Sequence, residues 1–314
     1  MEARDIAASG PAGIPRRLEA ASPRYGEKLI QVLLAGCALL SVLTTTAIVI
    51  ALIGPTIGFF GDVSITEFLF GTDWTPNFTP PSFGVLPIVV GTLSVTLWGM
   101  LFAIPIGLGA AIYLSEYARP RVRKVVKPAL EVLAGIPTVA IGFFCVAFIT
   151  PDIIQKLATS APIFLALSAG IGIGLMVVPI IASISEDAMG AVPAGLREGA
   201  YAMGATRMRV ATRVVFPAAL SGIVASIVLA ISRAVGETMI VVLAAGSTPN
   251  LTFNPLESIQ AMTAYIATTA TGEVAQGTIK YDAIFAVGAL LFVMTLAMNL
   301  ISIGLVRRFR EVYE

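Results

Sequence analysis

The sequence has 314 residues, of which 57% are hydrophobic and 12% charged, with a net charge of +1 and a mean hydropathy of +0.90. A soluble domain carries about a quarter charged residues, so this composition excludes one and points to a polytopic membrane protein. There is no histidine, which removes imidazole catalysis, imidazole metal sites and a histidine proton relay, and the two cysteines, Cys37 and Cys145, sit in apolar runs without any metal-binding spacing.

In chain order, residues 1–28 are polar, carry five basic residues and read as a flexible cytoplasmic tail. The apolar run that follows is too long for the core of a signal peptide. It predicts a first span over 29–53, closed by Gly54-Pro55. Residues 54–84 read as a loop whose aromatic residues, Trp74 among them, suit an interfacial belt. A second span is expected over 85–117, kinked at Pro87 and Pro105. A basic loop over 119–127 separates it from a third span over 130–149, which Glu131 opens at the favourable end of the helix dipole. A fourth span over 163–184 carries Ser168, Gly170, Gly172 and Gly174, small enough for close helix contact. A fifth over 218–245 and a sixth over 283–306 flank a Thr- and Asn-containing loop at 246–280.

Six spans place both termini on one side. The tail 1–28 holds five basic residues, 119–127 five, 197–213 four and the C-terminal end three, whereas the opposite loops hold only Lys156 and Lys280. The excess makes both termini cytoplasmic. Glu116 is expected in an interfacial ion pair, and Glu186 and Asp187 either pair with Arg207 or Arg209 or stay solvated. No Gly-Lys pair exists anywhere, so the chain carries no P-loop.

Between the fourth and fifth spans lies the polar stretch REGAYAMGATRMRVATRVVFP, residues 197–217. Ala200, Met203, Ala205, Met208 and Val210 recur at helical spacing, which predicts an amphipathic helix over about 197–210 outside the bilayer. Gly204 allows a bend, and Pro217 suits the first turn of the next helix. Such a helix is a handle for a cytoplasmic partner. In the fifth span, Ser232-Arg233-Ala234-Val235-Gly236-Glu237-Thr238 puts Arg233 about 22 Å above residue 218, with Glu237 a turn further on, at a cost of at least about 2.5–3.5 kcal/mol for an ionisable residue at that depth. One reading is an i,i+4 ion pair of Arg233 with Glu237. The other is an anion path: Arg233 offers planar donors to a tetrahedral oxyanion, Glu237 accepts a proton from a protonated phosphate, Ser232 and Thr238 add hydroxyls, and Gly236 lets the backbone approach.

Two resemblances bear on these residues. Glu198-Gly199-Ala200, three residues, Gly204, nine residues and Val214-Val215-Phe216-Pro217 resemble the EAA loop of ABC-importer permeases. SRAVGET, with GVLPIVVGT at 84–92, PIGLGAAIYLSEY at 105–117 and EVLAGIPTVAIG at 131–142, resembles phosphate ABC-transporter permeases of the PstC type over about residues 60–310. The resemblance implies an all-α integral membrane protein with six transmembrane helices, in the type I ABC-importer permease fold with a cytoplasmic coupling helix. Its permease domain would cover 29–310, between the tail 1–28 and a short tail at 311–314. Glu198, Gly199, Ala200, Gly204, Arg207 and Pro217 would couple it to an ATPase, and Arg233, Glu237, Thr238, Ser232 and Gly236 would line the substrate path. The chain itself would be no enzyme, would bind no metal or cofactor and would touch no nucleic acid. ATP and Mg would sit in a partner ATPase dimer, beside a PstA-like permease, an extracytoplasmic phosphate-binding protein, inorganic phosphate and the lipid of a bacterial inner membrane. The competing readings are a permease for sulfate or molybdate, an ion-coupled secondary transporter, and a membrane scaffold or sensor.

Overall fold

A computed structural model describes residues 25–308. The calls on the 1–24 part of the N-terminal tail and on the tail at 311–314 lie outside the described residues. The chain divides into two compact units, 1–50 and 51–314. In the first, the described residues form the opening part of helix α1 (Tyr25–Asp62), with Leu29, Leu33, Leu40 and Leu43 exposed, as expected of an apolar segment that meets lipid. Pro55 lies inside this helix instead of ending it. Proline is tolerated in apolar spans when nearby hydroxyls serve the backbone, and here Thr56 Oγ1 donates to the Leu52 carbonyl at 2.6 Å. The first span therefore runs well past Gly54.

The second unit is a bundle. The expected loop at 54–84 holds the end of α1, a short helix α2 (Ile65–Phe70) and a hairpin of two-residue strands, β1 (Trp74–Thr75) and β2 (Ser82–Phe83), the one departure from an all-helical fold among the described residues. Trp74 is 2% exposed and so forms no interfacial belt. It packs edge-to-face on Phe83 and Tyr265, and Phe59 does the same on Phe68 and Phe83, each pair worth about 0.5–1.5 kcal/mol beyond its burial.

Helix α3 (Leu86–Tyr117) starts with Pro87 in its first turn and ends in a widened π turn. The basic stretch 119–127 is not a loop but most of α4 (Pro120–Ala134). Pro120 supplies a helix-ready first residue, and the basic residues that follow are good helix formers. The third span begins only at α5 (Thr138–Leu157), because Gly135-Ile136-Pro137 breaks the chain where a residue before proline leaves the helical region. Pro151, expected to open a loop, lies inside the π-helical part of α5.

Helix α6 (Ala166–Gly190) is the buried centre and packs along α3. The small residues do what their spacing predicts. A Cβ on Gly170 would lie 2.7 Å from Trp98 Cβ and 3.1 Å from Gly99 N, and one on Gly174 would lie 2.6 Å from the Phe102 ring. Gly172 faces the other way, toward Cys145 and Ile240. The expected helix over 197–210 is two. Helix α7 (Ala194–Ala202) stops before Gly204, whose φ of +78° suits glycine. Helix α8 (Arg207–Ala218) then starts on the Thr206 cap. Pro217, expected in the first turn of the fifth span, lies instead in the last turn of α8, which does not run straight into that span: it meets α9 (Leu220–Val235) at 72°. That span is broken again at 236–238, before α10 (Met239–Ala244). Helices α11 (Met262–Ala270) and α12 (Ile279–Arg308) complete the bundle. Among the described residues five helices are long and apolar enough to cross a membrane, or six if the bent α8–α9 pair is one span.

Candidate functional site

Arg233 stands in the last turn of α9. A cation there gains about 0.3–1 kcal/mol from the helix dipole, too little to offset an insertion cost of at least about 2.5–3.5 kcal/mol. The ion pair with Glu237, one of the two readings of this stretch, is not formed. The helix ends at Gly236, so the i,i+4 geometry is lost, and Glu237 turns to the next element: its Oε1 accepts from the backbone N–H of Met239 at 3.1 Å and of Ile240 at 3.4 Å. Its own carbonyl accepts from Thr263 Oγ1 at 2.8 Å, which fastens the break to α11. Thr238 Oγ1 donates weakly to the Gly236 carbonyl at 3.4 Å. Nothing crowds Gly236, where a Cβ would meet only carbonyl oxygens at 3.8 and 3.9 Å.

Arg233 is exposed and has no ion pair or hydrogen bond among the described residues. It lines a cleft of about 620 Å³ with Glu131 of α4, Ser183 of α6, Ser232 of α9 and Asn299 of α12. Ser232 Oγ donates to Asn299 Oδ1 at 2.8 Å, which ties α9 to α12. The structure thus brings Ser232 and Arg233 of the expected path together in one cleft and turns Glu237 to the backbone of α10. The sequence reading missed Asn299, a polar residue on an otherwise apolar span, and gave Glu131 only a structural place at the start of a span. A second cavity, of about 370 Å³, lies against the hairpin, between Trp74, Tyr265 and Lys280, away from these residues.

The polar stretch forms a second surface. Glu198, Gly199, Arg207 and Arg209 are exposed, and Ala200 is half-buried. Arg197 does the anchoring. It donates to the Met189 and Val192 carbonyls, each at 2.6 Å, and its Nη2 lies 3.1 Å from Glu116 Oε1, on a side chain only 6% exposed. Glu116 is therefore in an ion pair as expected, with a partner on α7 in place of the neighbouring basic stretch. Glu186 and Asp187 do not reach Arg207 or Arg209. Glu186, fully buried, pairs with Arg123 and with Lys127 at 2.8 Å, and Lys127 reaches Asp187 at 2.5 Å. These bonds hold α4 on the end of α6. Chiefly through its hydrogen bond to Asp187, and then through Glu186, the network raises the Lys127 ammonium above its usual value. Among the described residues no cluster of His, Cys, Asp or Glu could hold a metal ion.

Residues 103–311 match the family described as binding-protein-dependent transport system inner membrane component. The chain is 34% identical over 267 residues to the probable ABC transporter permease protein YqgH of Bacillus subtilis, covering 84% of this chain and 86% of that one. It is 31% identical to the phosphate transport system permease protein PstC of Pasteurella multocida, covering 78% of this chain and 81% of that one. A solved bacterial alginate ABC transporter, in complex with an alginate pentasaccharide-bound periplasmic protein, contains a chain that superposes with a TM-score of 0.64 at 19% identity, over 93% of this chain and all of that one, a likeness of fold. The apolar helices, the exposed polar stretch and these matches agree: the chain belongs to the binding-protein-dependent transport system inner membrane components, the non-enzymatic permease subunits of ABC importers.

Proposed function

We propose that this chain is the PstC-like permease subunit of an ATP-driven importer of inorganic phosphate. The observation that carries this reading is the unpaired Arg233 in a cleft of a broken span, in a chain whose relatives include PstC proteins. A guanidinium with free donors at membrane depth is suited to a tetrahedral oxyanion. Residues 29–310 form the permease domain, with both ends and α7 in the cytoplasm. A PstA-like permease supplies the other wall of the path, an extracytoplasmic binding protein delivers phosphate, and two ATPase subunits hold ATP and Mg. Glu198, Gly199, Ala200, Gly204 and Arg207 present the docking surface. When the ATPase pair closes, α7 moves. Arg197 carries that movement to the end of α6 and to Glu116 on α3, and α8 carries it through Pro217 and the 72° bend into α9. The path opens outward, takes the anion at Arg233 and releases it inward after hydrolysis.

Uptake of labelled phosphate tests this reading in cells that lack their own high-affinity importer and express the chain with its partner subunits. Arg233→Gln at matched membrane levels is expected to lower uptake at least about tenfold, the equivalent of about 1.4 kcal/mol, with the ATPase still co-purifying. Equal uptake by both proteins would refute a role for Arg233 in the path. Uptake of sulfate or molybdate in place of phosphate would reassign the substrate.

A further inference from the structure

Glu131 is exposed on α4 and borders the groove lined by Arg123, Lys124 and Lys127, yet it bonds to none of them. It sits in the last turn of α4 (Pro120–Ala134), at the negative end of the helix dipole, where a carboxylate is disfavoured. The partner that helical spacing would supply, Lys127 one turn back, is turned away to Glu186 at 2.8 Å and Asp187 at 2.5 Å. Glu131 has no ion pair or hydrogen bond among the described residues, and it lines the same cleft of about 620 Å³ as the equally unpaired Arg233. Two opposite charges line one cleft without joining, and about 620 Å³ is ample for a small oxyanion.

The chemistry of the cleft limits what that group can be. Arg233 only donates. An ionised Glu131 only accepts. Asn299 Oδ1 is occupied by Ser232, which leaves its amide N–H₂ as donor, and Ser183 adds a hydroxyl. A ligand that satisfies both charges is an oxyanion that also carries an O–H: its bare oxygens face the guanidinium and its hydroxyl donates to the carboxylate. A tetrahedral anion with no proton would bring lone pairs against a carboxylate. Glu237, the carboxylate that the spacing in the sequence offers for this work, accepts from the backbone N–H groups of Met239 and Ile240 and does not line the cleft.

We propose that Glu131, opposite Arg233 in this cleft, is the residue that selects a protonated oxyanion, hydrogen phosphate, over an unprotonated one such as sulfate. The inference rests on the phosphate reading and deepens it. A hydrogen bond to a charged group is worth about 1.5–3 kcal/mol, so its loss changes the preference by about 10- to 100-fold.

The test is equilibrium dialysis of labelled phosphate against the purified permease–ATPase complex, with the binding protein omitted so that its own selectivity does not enter, and with unlabelled sulfate as competitor. Glu131→Gln is expected to raise the effectiveness of sulfate relative to phosphate at least about tenfold. Glu131→Asp keeps a carboxylate and is expected to keep the preference. Glu237→Gln is expected to leave the preference unchanged. A ratio that Glu131→Gln does not move, with phosphate still bound, overturns the inference and leaves the phosphate reading intact. A wild-type complex that binds no phosphate, from cells whose uptake is normal, overturns it as well. Only the loss of wild-type uptake itself would bring down both.

Discussion

Lys127 and Glu186 show how a single contact can be legible as a charge and illegible as a bond. Glu186 is fully buried, and its carboxylate persists there only because Arg123 and Lys127 come to it from α4. Removing one partner of a fully buried pair costs about 3–5 kcal/mol. Here Lys127 is partly solvated and Arg123 remains, so Lys127→Met is expected to cost about 1–2 kcal/mol, read as a lower thermal midpoint of the purified complex. The pH dependence has a definite sign. Hydrogen bonds to Asp187 and Glu186 raise the lysine above its usual 10.5, so the folded state holds the proton more tightly. The contribution is fully present at lower pH and is lost as pH rises past 10.5 and through the raised value. The stability difference between wild type and Lys127→Met should therefore stay constant through neutral pH and shrink only in strong alkali. A difference that shrinks around neutrality would mean that the ammonium is not what holds Glu186.

At the scale of elements, breaks carry more of the design than spans do. Gly204 is the sharpest case. It has φ of +78° and open space around it, so Gly204→Ala costs backbone strain alone, about 1 kcal/mol. Gly199, inside α7, also has open space but no positive φ, and Gly199→Ala should stabilise by up to about 1 kcal/mol. Thermal midpoints of the two variants in the purified subunit, free of the ATPase that would cover this surface, separate these effects, and a common direction would contradict the bend. The bend was legible because glycine between two amphipathic runs has few other uses. Pro55 misleads by the same logic, since a rule learned from water-facing helices overstates what proline does in lipid, where Thr56 serves the neighbouring carbonyl. The basic stretch 119–127 misleads because a run of charge suggests a loop, while Arg and Lys are as content in a helix. The company kept by Glu131 could not be read at all: Arg233 and Asn299 lie far along the chain, and only folding brings them to one cleft.

For the whole molecule, the firmest part is the pairing of α3 with α6, and here sequence and structure agree. Small residues at 170 and 174 leave no room for a side chain between the helices. Gly170→Ala would drive a methyl against Trp98 and the Gly99 backbone, at a cost of about 1–3 kcal/mol. Gly109→Ala on the same α3 meets nothing within 4 Å and should be harmless or mildly stabilising. The relative yield of folded complex in detergent compares them, and equal yields would count against close packing as the basis of this core. The exposed Arg233 sets the opposite condition, because on the proposed reading a subunit made alone holds at membrane depth a charge that neither a partner wall nor an anion covers. An orphan copy would then differ from an assembled one in that one side chain, a charge left facing lipid.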